Sequence, residues 1–234
     1  MAYGFCTGSH VCSLFAVAFR FVSLKNVDLC RLKVNELKLC KIQLFDCSSL
    51  VVMAILANRR LCGGMLDVLP DILSPGLKVI FCGSAAGRRS AEAGAYYAGP
   101  GNRFWPMVYR MGLTPVLFEA QRYREVLAYG IGLTDLAKEK SGADAQIADG
   151  AYDPSRLRQA VKSLAPSALA FNGKRPAQLF LGGQVQYGEQ RDACGTTRVF
   201  VLPSTSGAAR RFWDEGPWME LADWLRSRSP NPAN

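Results

Sequence analysis

The chain has 234 residues, a formal charge of +9 from 28 Lys and Arg against 19 Asp and Glu, and an apolar share of 49%. That is enough for one ordinary globular core with residues to spare. The only histidine is His10, and only Cys82 and Cys194 lie beyond residue 65; histidine triads, zincins, zinc deaminases and four-cysteine metal sites are therefore excluded from the larger part of the chain.

The charge is uneven. Residues 1–65 carry 8 basic and 3 acidic residues, and the remainder 20 and 16. The larger part is only mildly basic, so net charge by itself says little about a nucleic-acid partner.

Residues 1–64 read as a poorly structured extension. They hold Cys6, Cys12, Cys30, Cys40, Cys47 and Cys62, but neither helical nor strand periodicity persists. The apolar run Val11 to Val22 is too short and too interrupted to span a membrane. No signal-peptide pattern is present, and cysteines confined to one end do not make the framework of a small secreted domain. The functional protein is expected to start near Met65, with residues 65–229 as its domain and 230–234 as a frayed tail.

From Met65 the pattern changes. Asp67 to Leu73 is a short lead-in, and Ser74-Pro75-Gly76 a turn. Leu77 to Cys82, interrupted only by Lys78, predicts a buried parallel strand. At Gly83 the pattern breaks into small residues, followed by Arg88, Arg89 and Ser90, which can bind anions, and by the flat rings of Tyr96 and Tyr97. A strand, a small-residue loop and a helix build a site at the carboxyl end of an open α/β sheet, and this one suits a nucleotide or base.

Asn102 is positioned as an N-cap for a helix with Phe104, Met107, Val108 and Met111 on one face, closed by Gly112. Glu119 to Tyr129 predicts a second helix closed by Gly130. Residues 130–135 then read as a short apolar turn around Thr134-Asp135, lying between helices. Asp153-Pro154 starts a third helix, with Leu157, Ala160, Val161 and Leu164 on one face. Ser167 to Phe171 predicts a strand ending in Asn172-Gly173-Lys174, and Ala177 to Leu181 a helix. Thr197 to Leu202 predicts a strand, followed by Pro203-Ser204-Thr205-Ser206-Gly207. Pro217 opens the last helix, whose inner face is Trp218, Leu221, Ala222 and Leu225. The order implies an α/β fold, a three-layer α/β/α arrangement with a short, mostly parallel central sheet. Segments 83–105, 171–174 and 202–211 then share one edge of that sheet, and 130–135, between helices, is a candidate to join them.

Three pieces in this order, GSAAG…YYAGPGNRFW, GIGLTDL with FNGK, and LPSTSGAARR, resemble the uracil-DNA glycosylase superfamily. The resemblance covers residues 66–226. It is nearest to the mismatch-specific uracil/thymine-DNA glycosylases, with features of the hypoxanthine-DNA glycosylases. Where the mismatch-specific enzymes have Gly-Ile-Asn-Pro-Gly, this chain has Gly83-Ser84-Ala85-Ala86-Gly87. The Asn that positions the attacking water is thus Ala85, and the place for the acid that some relatives use instead is Pro100.

The resemblance implies excision of uracil from DNA by hydrolysis of the N-glycosidic bond, leaving an abasic site. It implies a monofunctional enzyme of base excision repair, monomeric and cytoplasmic, with uracil-containing DNA as partner and no cofactor, metal or iron–sulfur cluster. Hypoxanthine or mismatched thymine as substrate, or a catalytically weak DNA-binding module of the same fold, are the alternatives. Such an enzyme flips the nucleotide out and stabilises charge developing on the departing base.

On this reading Tyr97 is the stacking floor for the base, or an ordinary core aromatic, and Tyr96 supports the loop. Gly83 contacts the base, and Ser84 and Ala85 stand at the catalytic position. Asp135 accepts from the base N3–H, orients water, or caps its own turn. Asn172 lines the pocket or forms a turn, and Asn102 meets the base or acts as the N-cap. Ser204, Thr205 and Ser206 grip phosphates or form a hydroxyl-rich turn. Arg210 and Arg211 contact the DNA backbone, probe the gap left by the flipped nucleotide, or lie in solvent. Arg88 and Arg89 hold phosphate or supply positive charge to the leaving base.

Overall fold

In a computed structural model, residues 67–191 and 194–228 are described. The expectations for residues 1–64, for a start near Met65 and for the tail at 230–234 lie outside them. Five strands form one sheet in the order β2-β1-β3-β5-β4. They are β1 (Val79–Ala86), β2 (Ile131–Ser141), β3 (Ala168–Asn172), β4 (Gly188–Glu189) and β5 (Arg198–Leu202). β2, β1, β3 and β5 run parallel, and the two-residue β4 closes the far edge antiparallel to β5. The helices are α1 (Arg88–Ala93), α2 (Phe104–Arg110), α3 (Pro154–Leu164), α4 (Lys174–Leu181) and α5 (Gly216–Arg228).

Alternation along the strands divides the core in two, as a sheet covered on both faces requires. Val79, Phe81, Ala168, Ala170, Phe200 and Leu202 pack with Phe104, Met107 and Val108 of α2 and with Trp218, Leu221 and Leu225 of α5. Ile80, Cys82, Leu169, Phe171, Val199 and Val201 pack with Leu157 and Val161 of α3 and Ala177 and Phe180 of α4. The fold is thus the expected three-layer α/β/α. Among the described residues no helix is long and apolar enough to cross a membrane.

Three local expectations are corrected. β1 does not break at Gly83; it continues through Ser84 and Ala85 to Ala86, because Gly83 and Ala85 pair with Asp135 and Ala137 of β2. Residues 130–135 are not a turn between helices. They open the eleven-residue edge strand β2, which starts after Gly130 takes a left-handed φ of 78° to end the preceding helix. Gly132 allows that strand to lie close, since a side chain there would meet Leu77, Leu73 and Ile80. Arg88 and Arg89 belong to the short helix α1 rather than to an irregular loop tip.

The other elements fall close to expectation. Residues 120–129 form a 3-10 helix. Asp153 caps α3, its Oδ1 accepting from the Arg156 N–H at 2.9 Å. The inner face of α5 is Trp218, Leu221, Ala222 and Leu225.

Phe81 sits at the centre of the first core layer. Its ring stacks on Trp218 at 5.7 Å and meets Phe104 edge-on at 5.2 Å. Truncating it removes a fully buried ring, so Phe81→Ala is expected to cost about 3–5 kcal/mol of unfolding free energy, read as a lower urea midpoint at unchanged slope.

Candidate active site

The C-terminal ends of β1, β2, β3 and β5 carry the site, at the edge where an open α/β sheet places its ligands. Its centre is Gly83. A methyl group there would collide with Asp135 Oδ1 and stand 3.7 Å from the Tyr97 hydroxyl. Glycine is needed here for close approach rather than for an unusual φ. It lets a carboxylate from the neighbouring strand and a phenol from the following loop converge on one Cα.

Asp135 is 4% exposed. Burial pushes its carboxyl up to about 7, with Asp71 and Asp144 adding to the rise while Lys138 and Arg156 oppose it. The two cations are engaged with Asp71. Lys138 Nζ lies 2.7 Å from Asp71 Oδ1, and an Arg156 guanidinium nitrogen 2.5 Å from Oδ2. The Thr134 hydroxyl donates to Asp71 Oδ1 at 2.7 Å. Arg156 also donates to the backbone carbonyl of Asp135, at 2.7 Å, so it meets the peptide and not the carboxylate.

Tyr97 has a φ of 56°, a left-handed conformation that costs a bulky side chain on the order of 1–3 kcal/mol. Several contacts hold it there. Its ring stacks on Phe104 at 3.8 Å between centroids and 21° between planes. Trp105 Nε1 donates to the Tyr96 carbonyl at 3.1 Å, and the Ala98 N–H donates to Ser90 Oγ at 3.1 Å. The Tyr97 hydroxyl is buried, faces Asn172 and Asp135, and has no partner in hydrogen-bonding geometry. Burial, then the nearby Asp135 carboxylate, push it well above the ordinary phenol range, so it stays protonated.

Asn172 ends β3 and clamps the loop after β5. Its Nδ2 donates to Thr205 Oγ1 at 2.8 Å, and its Oδ1 accepts from the Thr205 N–H at 2.9 Å. Arg103 N–H donates to the Thr205 carbonyl at 3.0 Å, and Trp218 Nε1 to the Pro203 carbonyl at 3.0 Å. The 203–206 loop is therefore fixed from β3, from the start of α2 and from α5.

Of the residues singled out in the sequence, Gly83, Asp135, Tyr97, Asn172 and Thr205 are brought together. Ser84 lies on the same strand end, its hydroxyl donating to Asp144 Oδ2 at 3.2 Å. Ala85 is half-buried beside it. Thr205 is 1% exposed and its hydroxyl is held by Asn172, so it braces the loop, while Ser204 and Ser206 remain accessible. Ser206 Oγ accepts from the Ala208 N–H and caps the 3-10 turn of residues 207–212.

Asn102 is not the N-cap, which is Arg103; its Oδ1 accepts from the Phe104 N–H at 3.0 Å, a side-chain turn just ahead of α2. The side chains of Arg88 and Arg89 are 81% and 66% exposed and pair with Glu92. They stand at the rim and not beside the buried carboxylate. Arg211 is exposed. Arg210 lies over Gly101, where a Cβ would stand 2.5 Å from its guanidinium, so the loop before α2 and the loop after β5 touch.

The sequence reading missed Asp71, Thr134, Lys138 and Arg156 beneath the site and Phe104 behind Tyr97. One signal was available. Lys138 follows an apolar run, and once that run is a strand its ammonium must be buried and needs a partner.

Residues 70–226 match the family described as the Uracil DNA glycosylase superfamily. A Methanosarcina acetivorans protein, provisionally assigned as a uracil DNA glycosylase and solved by solution NMR, is 25% identical. The similarity covers 70% of this chain and 97% of that one, with a TM-score of 0.46. The chain belongs to the uracil DNA glycosylase superfamily. Its family is one of DNA-repair glycosylases, hydrolases whose substrate is DNA.

Removing the Asn172 clamp leaves the buried Thr205 N–H without its acceptor. Asn172→Ala is expected to cost roughly 1–3 kcal/mol of stability, measured by urea denaturation, and to speed amide exchange at Thr205 before the core strands open.

Proposed function

We propose that the chain is a monofunctional DNA glycosylase that flips uracil out of DNA and hydrolyses its N-glycosidic bond, with Asp135 as the base for the attacking water. The observation that carries this reading is the buried Asp135 carboxylate, which has no ion pair among the described residues and lies against the glycine that ends the buried run of β1, where burial raises its affinity for a proton. A base works best when its pKa lies close to the working pH. The usual water-positioning Asn is Ala85 in this chain, and the carboxylate on the adjacent strand takes its task.

In the proposed reaction the ionised Asp135 takes a proton from water as the water oxygen bonds to the sugar C1′. The C1′–N1 bond breaks and its electron pair leaves with uracil. Positive charge develops on the sugar as in other glycoside cleavages. The extruded base lies on the face of Tyr97 opposite Phe104, a stack worth about 1–3 kcal/mol. Asn172 Nδ2 carries two hydrogens and spends one on Thr205; the second serves the departing base oxygen. Ser204, Ser206, Arg210 and Arg211 lie along the loop after β5 and meet the phosphates on either side, with the exposed Arg88 and Arg89 as further phosphate contacts.

Uracil is favoured over thymine because a better leaving group asks less of the water. Hypoxanthine and thymine are the competing substrates. The test is cleavage of labelled single- and double-stranded oligonucleotides carrying uracil, thymine or hypoxanthine, followed by alkali. Excision of uracil above the other two is expected; DNA binding without excision of any base overturns the proposal.

Two variants sharpen it. Asp135→Asn is expected to slow excision about 10²–10⁴-fold, and Tyr97→Ala at least about tenfold. In the intact enzyme the single-turnover rate rises with pH through an acid limb near 7, as the carboxyl loses its proton, and in Asp135→Asn that limb disappears.

A further inference from the structure

Beneath the site lies a charge cluster, with Lys138 buried and Asp71 and Arg156 partly buried, that no step above uses. Asp71, in the segment leading into β1, accepts from Thr134 Oγ1 and pairs with both Lys138 of β2 and Arg156 of α3. Lys138 also donates to the Leu69 carbonyl and to the Tyr96 hydroxyl. Its side chain is 7% exposed, so its charge is fixed in place and not drawn off into water. Arg156 bridges Asp71, Thr134 and the Asp135 carbonyl.

We infer that Asp71 is a positioning residue for Asp135: by holding Lys138 and Arg156 on its own carboxylate, it keeps both cations from pairing with the Asp135 carboxylate three residues before Lys138 on the same strand. The consequence for catalysis rests on the reading of Asp135 as base; the coupling between the two carboxylates does not.

Other groups face Asp135 from every side. Thr134 and Lys138 come from β2, Cys82 from β1, Asp71 from the lead-in segment, and Arg156 from α3. Asp144 lies in the loop after β2, and Tyr96 and Tyr97 in the loop after α1. The Cys82 thiol and the two phenols are pushed upward and stay neutral through the working range. The charges that change the field at Asp135 are therefore those of Asp71, Asp144, Lys138 and Arg156. Asp144 is exposed, so solvent screens it. Asp71 is partly buried and in direct contact with both cations, so it is the less screened of the two acids.

The full chain, labelled with 13C at aspartate side-chain carboxyls, gives the Asp135 titration midpoint directly, its signal assigned by loss in Asp135→Asn. Asp71→Asn keeps the shape and removes the charge. Its Asp135 midpoint is expected to fall by at least about half a pH unit, and the acid limb of uracil excision to move with it. Lys138→Met is expected to move the midpoint upward. Loss of fold in Asp71→Asn, seen by circular dichroism, is met by making it in the Lys138→Met background, where no ammonium is left unpaired. The double variant must then titrate below Lys138→Met alone.

An unmoved or raised midpoint in Asp71→Asn, or in the double variant relative to Lys138→Met, overturns the inference. A midpoint that falls while the acid limb stays in place upholds the coupling and removes Asp135 from the role of base.

Discussion

Everything at the site depends on one close approach, the Asp135 carboxylate lying against the bare Cα of Gly83. Parallel strands bring backbones near each other, but an ordinary residue at position 83 would drive that carboxylate away. With glycine there, the acid is taken out of water without a direct ionic partner. Desolvation of this kind favours the protonated form. The cations that would counter it are present, within the same cluster, yet their short contacts are to Asp71. The site thus contains the ingredients of a fully neutralised network arranged so that one member stays uncompensated.

The loops above the strands are fixed by a small number of contacts, each joining distant parts of the chain. Asn172 reaches across to Thr205, 33 positions later. Arg103 and Trp218 hold the same loop from two helices. Tyr97 is kept in a left-handed conformation by a stack on Phe104 and by hydrogen bonds on either side. Strain persists only where the surroundings over-determine it, and here the contacts that do so belong to the same core layer as Phe81 and Trp218. Core and site are therefore coupled. Phe104 fills the first core layer with one edge and supports the Tyr97 ring with its face.

Much of this was legible in the sequence because local patterns agreed with the final fold. Three parallel strands, the cap at Asp153 and the inner face of α5 follow from periodicity and turn chemistry. The gathering of Tyr97, Asn172 and Thr205 follows from their places after strands. What failed was β2. Its opening residues, Ile131 to Ala137, include a glycine and an aspartate, residues depleted in strands, and no alternation marks them because both faces are covered. With β2 taken for a turn, Asp135 was at the right end of the molecule but without its strand. Lys138 and Arg156 then had no reason to meet Asp71, since a partnership spanning 85 positions has no local signature.

A carboxylate kept in this state works against the fold that holds it. The folded-state value near 7 lies above the ordinary carboxylate value of 3.8, so the folded chain binds a proton that the unfolded chain releases. Stability from this group is therefore greatest below the unfolded value and falls as pH rises toward 7, levelling off above it, by an amount on the order of 4 kcal/mol. Asp71 opposes this cost only indirectly. It neutralises the buried Lys138 and the partly buried Arg156, which would otherwise be uncompensated charges themselves, while its own charge disfavours ionisation of Asp135. A chain selected for stability alone would place one of those cations on Asp135, or replace the acid with an apolar residue. An ion-pair network that leaves a single buried acid outside its pairing is better understood as tuned to the proton at that acid than to the strength of the fold.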